Sequence, residues 1–228
     1  MTKQSQDRHG LRPRDDANML NKNKIINFNT SVVPTWCPGC GNYLILANII
    51  NALKLNNIKK HNIVIVYDIG CIGNMADFID TYGIHSLHGR CIPTAVGVKL
   101  ANPRLTVLAI GGDGGIYGEG LNHLIASARS NYPIKVIVSN NFLYSLTTGQ
   151  ASPATPKGTI TKSTPGGTIG EPINPEKLLK AVNPSVLVKS LKASDIPTLK
   201  ASLNTLFKTK GFGLLDIQFN CVSFGKSK

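Results

Sequence analysis

The sequence predicts an α/β fold: a mostly parallel, doubly wound sheet with helices on both faces. Three observations predict it. The runs "NIVIVYDIG", "LTVLAIGG", "IKVIVSN" and "FGLLDIQFN" are continuously apolar over most of their length rather than alternating, as strands buried on both faces are. Segments with apolar residues at helical spacing separate them, which is the βαβ rhythm of a parallel sheet. Finally, Cys71, Asp113, Asn141 and Cys221 each fall at or just beyond the carboxyl end of a different expected strand. Ligands of such sheets bind outside those ends, so the four residues share one edge.

Residues 1–30 are polar and aperiodic, with Gly10, Pro13 and an Asn/Lys run, and read as an extension that is disordered or drapes over a partner. The domain occupies residues 31–228. After the "WCPGCG" loop, residues 42–59 carry Leu44, Ile45, Ile49, Ala52 and Leu53 at helical spacing, and the strand run through Gly70 follows. Residues 89–100 read as a helix with Pro93 in its first turn, then a strand from Leu105, a helix over 120–130 and a strand from Ile134. The stretch 147–175, rich in Thr, Gly, Pro and Ser, is a long loop, and loops of that length are usually functional. A short helix (176–182), a strand (186–191), a helix (193–208) and the last strand, ending at Asn220, complete the chain.

The net charge of +13 is uneven: residues 1–24 hold six Lys/Arg against three acids, residues 25–156 eight against five, and residues 157–228 eleven against four. The excess at the two ends suits an acidic protein partner or an anionic cofactor. With 6% aromatics and no zinc-finger, RRM or basic-helix pattern, no nucleic acid partner is expected. No apolar run of membrane-spanning length and no secretory leader is read, so the expected compartment is the cytoplasm. Five cysteines without a leader argue for reduced thiols, metal ligands or catalytic residues rather than a disulfide scaffold.

Three constellations carry chemistry. In "GGDGG", Gly111–Gly115, the glycines let backbone approach phosphate oxygens at a helix amino end, and Asp113 with Asn141, 28 residues later at the next strand end, offers hard oxygen ligands for Mg2+. Asp113 intrudes where a dinucleotide site wants bare backbone, and no Walker lysine follows. The second set is Cys37, Cys40, Cys71 and Cys221. On its own the CxxC reads as a redox dithiol or a metal clip, and four thiolates suit Zn or an iron-sulfur cluster alike. Cys91, inside an expected helix, reads as a packed thiol. The third is "HSLHGR", where His85, His88 and Arg90 suit an anionic ligand.

From Thr35 to Phe224, the motifs "WCPGCG", "IGCIGN", "HSLHGR", "GVKLANP", "GGDGG", "NHLIASARSN", "NNFLYSLTTGQASPATPKG" and "CVSF" resemble, in order, the β subunit of 2-oxoacid:ferredoxin oxidoreductases, which are thiamine diphosphate enzymes. The resemblance implies the diphosphate-binding half of the thiamine fold. It also implies a 4Fe-4S cluster on Cys37, Cys40, Cys71 and Cys221, and Mg2+ on Asp113, Asn141 and the carbonyl of Leu143. Thiamine diphosphate contacts are implied at Ile69, Gly70, Cys71, Ile72, His88, Gly114, Gly115, Ser145 and Leu146. The chain departs from many members at Gly115 (a second aspartate), Ile72 (Ser) and Ser145 (Gly), and from 2-oxoglutarate-type archaeal members at Asn74 (Lys).

The implied reaction joins a 2-oxo acid, coenzyme A and oxidised ferredoxin to give acyl-CoA, CO2 and reduced ferredoxin. Glu119, Glu171 and Glu176 have no context for activating the cofactor, so an α subunit, alone or with γ and δ subunits, is expected to supply that glutamate. Two other classes fit the residues without the resemblance: a non-catalytic Zn or iron-sulfur module, and a non-oxidative thiamine diphosphate decarboxylase.

Overall fold

The computed structural model describes residues 26–225. Strands β1 (Ile63–Tyr67), β2 (Tyr82–His85), β3 (Thr106–Gly112), β4 (Lys135–Asn140), β7 (Leu187–Lys192) and β8 (Gly213–Gln218) form one sheet in the order β2-β1-β3-β4-β8-β7. All neighbours are parallel. Two short strands, β5 (Leu143–Tyr144) and β6 (Gln150–Ala151), pair antiparallel beside it.

Alternation along the strands sorts the core into two layers, because successive side chains point to opposite faces. Ile63, Ile65 and Tyr67 of β1, Leu108 and Ile110 of β3, and Leu215 and Ile217 of β8 pack with helices α1 (Asn42–Leu55) and α5 (Ile196–Lys208). Their neighbours Val64, Val66, Val107, Ala109 and Leu214 pack instead with α2 (Cys91–Ala101), α3 (Leu121–Arg129) and α4 (Pro175–Val182). Burial on both faces is why these strands read as unbroken apolar runs. Two helix starts follow from sequence: Asn174 caps α4 by accepting the Lys177 amide at 2.9 Å, and Asp195 caps α5 by accepting that of Thr198 at 3.2 Å, each with proline in the first turn.

Departures from the sequence reading are local. Helix α1 ends at Leu55 rather than 59, and the edge strand β2, exposed at all four positions, had no apolar run to announce it. Most of the expected extension lies outside the described residues. Its last part packs on the domain: Phe28 is fully buried, Asn29 bridges to Ile79, and the Thr30 hydroxyl donates to the Asp77 carbonyl at 2.7 Å. Among the described residues no helix is long and apolar enough to cross a membrane.

Candidate active site

The four strand-end residues do meet at one edge. β3 ends one residue before Asp113, β4 one residue before Asn141, and a 3-10 segment beginning at Cys71 follows β1. Between them opens a cleft lined by every residue expected to touch thiamine diphosphate, namely Ile69–Ile72, His88, Gly114, Gly115, Ser145 and Leu146, and by Asp113, Asn141 and Leu143. Gly70, at φ +127°, has open space where a side chain would stand, so its turn is a place for glycine that brings bare backbone to the cleft. Gly115 has a different reason to be glycine: a Cβ there would lie 2.0 Å from Asp68 Oδ2.

Asp113 is almost fully buried. Its Oδ1 accepts the Asn141 amide at 3.3 Å, and its Oδ2 accepts the Ser152 hydroxyl. Burial pushes its carboxyl up to about 7, against the Ser152 hydroxyl and the Asn141 amide, which lower it. A cation beside it would offset that burial cost. Asn141 Oδ1 accepts from Leu143 N–H at 3.1 Å and Ser145 Oγ at 2.9 Å. The turn carrying these residues is strained: Phe142 sits at φ +65°, costly for an aromatic side chain. It is held by Asn140 Oδ1, which accepts the Phe142 amide at 3.1 Å, and by the Thr155 hydroxyl, which donates to the Phe142 carbonyl. Hard oxygen donors beside glycine turns at a sheet edge fit a diphosphate and its divalent ion.

Of the "HSLHGR" residues only His88 reaches the cleft. His85 Nε2 lies 3.2 Å from the Asp68 carbonyl oxygen, and Arg90 donates to the carbonyls of Glu119 at 2.8 Å and Gly89 at 3.3 Å, and neither lines the cleft. His88 Nδ1 approaches Glu119 Oε2 at 3.1 Å without hydrogen-bond alignment. Behind it, fully buried Asp68 accepts the Gly89 amide at 2.8 Å on Oδ1 while its Oδ2 has no hydrogen-bond partner among the described residues.

The thiols gather beside the cleft. The Trp36 indole donates to the Cys71 carbonyl at 2.6 Å, and its ring meets Tyr43 and Phe78 edge-on with centroids 5.3 and 5.0 Å apart, which pins the CxxC loop to the end of β1. Gly41 lies against the Phe219 ring, where a Cβ would meet carbon at 2.4 Å, and Cys37 Sγ contacts Ser223 Oγ at 3.2 Å. The loop is thereby joined to the end of β8. Burial pushes Cys71 up to about 11, with the charges of Cys40, Cys221 and Cys37 adding to it, and Cys40 is raised by burial and then by Cys221 and Cys37. Burial also raises Cys221, but the Ser145 hydroxyl and the amides of Phe224, Ser223 and Gly225 outweigh it, for a net lowering. Cys71 and Cys40 thus lie close enough to the other thiols to feel their charges, and amides are aimed at Cys221, a donor set of the kind soft metal centres take. Among the described residues no group of three or more His, Cys, Asp or Glu side chains is arranged as a ready site for a metal ion. Cys91 is buried in α2, apart from this set.

Three supporting residues escaped the sequence reading. Ser152 lay within the long loop, and Asp68 and Asp216 were single acids in apolar strand runs, a pattern that itself marks a buried polar contact.

The fold and the cleft together define a thiamine-pyrophosphate-binding domain, and the family described as "Thiamine pyrophosphate enzyme, C-terminal TPP binding domain" matches residues 68–217. The chain is 42% identical over 138 residues to 2-oxoacid:ferredoxin oxidoreductase 1, subunit beta, of Aeropyrum pernix, covering 60% of this chain and 43% of that protein. It is 39% identical over 191 residues to the corresponding β subunit of Saccharolobus solfataricus, covering 83% of this chain and 62% of that protein. A solved 2-oxoglutarate:ferredoxin oxidoreductase from Magnetococcus marinus, with 2-oxoglutarate, coenzyme A and succinyl-CoA bound, superposes with a TM-score of 0.84 at 31% identity, over 87% of this chain and 68% of that one. The chain belongs to the 2-oxoacid:ferredoxin oxidoreductase family, on the β-subunit side. It spans 43% and 62% of the lengths of the two archaeal β subunits.

Proposed function

We propose that this chain is the cofactor-binding, electron-exporting β subunit of an oxidoreductase that converts a 2-oxo acid and coenzyme A into acyl-CoA and CO2, passing electrons through a 4Fe-4S cluster to ferredoxin. One observation carries the reading: Cys71 both lines the cleft and lies close enough to Cys40, Cys221 and Cys37 for their charges to act on its thiol. A cofactor pocket and an electron carrier then share a residue, an arrangement a non-oxidative decarboxylase does not need.

Asp113, the Asn141 side chain and the Leu143 carbonyl hold Mg2+. Ile69–Ile72, His88, Gly114, Gly115, Ser145 and Leu146 hold thiamine diphosphate, which when bound supplies the electron sink for decarboxylation. Ile69 and Leu146 offer partly exposed apolar surface at the cleft, which excludes water once covered. Cys37, Cys40, Cys71 and Cys221 bind iron as thiolates.

Glu119, the glutamate nearest the cleft, faces His88 and the Tyr144 hydroxyl, so the activating glutamate, most of the substrate pocket and the coenzyme A site fall to a partner α subunit, alone or with γ and δ subunits. The basic ends dock that partner or an acidic ferredoxin. All five cysteines are free, which suits a reducing cytoplasm. The test is coenzyme A-dependent viologen reduction by the anaerobically purified native complex across a panel of 2-oxo acids. Turnover by the complex and none by the chain alone is expected. Robust turnover by the chain alone, or none by the complex with any 2-oxo acid, contradicts the proposal.

A further inference from the structure

Acyl-CoA formation leaves one proton over. In the proposed reaction the S–H bond of coenzyme A and the bond from the acyl carbon to the carboxylate break, a sulfur–carbon bond forms, CO2 departs, and two electrons pass to two oxidised ferredoxins. The thiol proton needs an acceptor at the cleft. Four side chains lining the cleft can ionise: Cys71, His88, Asp113 and Tyr144. Cys71 and Asp113 are committed to metal centres under the functional reading. Burial, then the charge and hydrogen bond of Glu119, pushes the Tyr144 hydroxyl up to about 12, so it keeps its proton. His88 remains, and imidazole is the side chain that exchanges a proton near neutral pH.

Glu119 holds this ring from behind. His88 Nδ1 is buried and lies 3.1 Å from Glu119 Oε2, which leaves Nε2 as the ring nitrogen available to the cleft. The alignment of the pair is poor, as in many sites whose hydrogen bonds tighten around a ligand. Glu119 ends a π-helical turn, Gly115–Glu119, a rare geometry that is frequent at functional sites. Both its carboxylate oxygens lie 3.4 Å from the Tyr144 hydroxyl, and its carbonyl accepts from Arg90 at 2.8 Å. The Tyr144 ring stands 6.0 Å from that of His88, centroid to centroid, and is wedged against Gly118, where a Cβ would meet its hydroxyl at 2.5 Å. Asp68 closes the other side: a Cβ at Gly115 would lie 2.0 Å from Asp68 Oδ2 and 3.5 Å from His88 Cε1. The ionisable groups around the ring are thus Glu119, Asp68, Tyr144 and, through the Glu119 carbonyl, Arg90.

We propose that His88 accepts the thiol proton of coenzyme A, and that Glu119 is the positioning residue that holds Nδ1–H and turns Nε2 to the cleft. The inference rests on the functional reading above and deepens it. As the sulfur takes the acyl group, its proton passes to Nε2. The Glu119 carboxylate stabilises the imidazolium so formed, and the partly exposed ring then gives the proton to water.

The experiment separates the step before coenzyme A from the step that consumes it. In the anaerobically purified native complex, saturated with Mg2+ and thiamine diphosphate, CO2 release from a carboxyl-labelled 2-oxo acid is followed in a single turnover without coenzyme A, and acyl-CoA formation is followed with it. In His88→Ala the ratio of acyl-CoA formation to CO2 release is expected to fall about 100-fold, and added imidazole to restore it. In Glu119→Ala the ratio is expected to fall roughly 10-fold, and Glu119→Asp to recover part of it. A residue that only held the fold or the cofactor would lower both rates together. An unchanged ratio in either alanine variant therefore overturns the proposal and leaves the functional reading standing. Neither CO2 release nor acyl-CoA formation by wild type, with any 2-oxo acid, overturns the functional reading and the proposal with it.

Discussion

The Asn140 side-chain amide donates to Asp216 Oδ1 at 3.0 Å, tying the strand that delivers Asn141 to the strand that leads to Cys221. The same oxygen accepts the Tyr117 hydroxyl at 2.8 Å, and Oδ2 accepts from Gln218 at 2.7 Å. Asp216 is fully buried, so it is the hub that satisfies three donors within the sheet edge. Replacing it by alanine strands those donors and is expected to destabilise the protein by about 3 kcal/mol. Urea unfolding of Asp216→Ala measures this. Unchanged stability would show that the network is not structural.

Gly115 and Asp68 compete for one volume. Gly115→Ala places a Cβ 2.0 Å from Asp68 Oδ2 and is expected to cost about 1–3 kcal/mol by overpacking. Asp68→Ala vacates that space, so in the double variant the cost of Gly115→Ala should largely vanish, a coupling of about 1 kcal/mol or more. Simple additivity in denaturant melts would refute the shared volume.

Ser152 orients Asp113 through its hydroxyl. Because groups that orient metal ligands are worth roughly 10- to 100-fold in affinity, Ser152→Ala is expected to weaken Mg2+-dependent thiamine diphosphate binding by about that factor. Calorimetric titration checks it, and wild-type affinity in the variant would sever the long loop from the site.

The sheet and the functional edge were legible because each rests on a local pattern. Runs such as "IVIVY" are buried along their whole length, and Asp113 and Asn141 follow strands directly. What stayed hidden depends on partners distant in sequence. β2 is an exposed edge of four residues that gains its identity only by pairing with β1. Residues Gly115–Glu119 form a π-helical turn rather than the plain approach to α3 that their glycines suggest. Tyr117 meets Asp216 across 99 residues, and no window of sequence holds both.

Lys135 is buried at the start of β4, donating to the carbonyl of Gly211 at 2.9 Å and to that of Thr209 at the end of α5. Burial, with the charge of Lys99 adding to it, pushes its ammonium down from 10.5 to about 8. A folded pKa below the unfolded one means a stability contribution present above pH 10.5 and lost as pH falls through about 8. The stability of wild type relative to Lys135→Met should therefore rise between pH 8 and pH 10.5, as read by urea midpoints. A pH-independent difference would contradict the assignment.

Under the proposed function, two separable centres, one for diphosphate and one for electrons, share the carboxyl edge of a single sheet. Replacing Cys37 by serine tests it most directly, with calorimetric binding of Mg2+-thiamine diphosphate and ferredoxin reduction both measured in the native complex. Cofactor binding close to wild type with ferredoxin reduction abolished is the expected result. Retained ferredoxin reduction would contradict the claim and return the CxxC loop to the role of a dispensable dithiol.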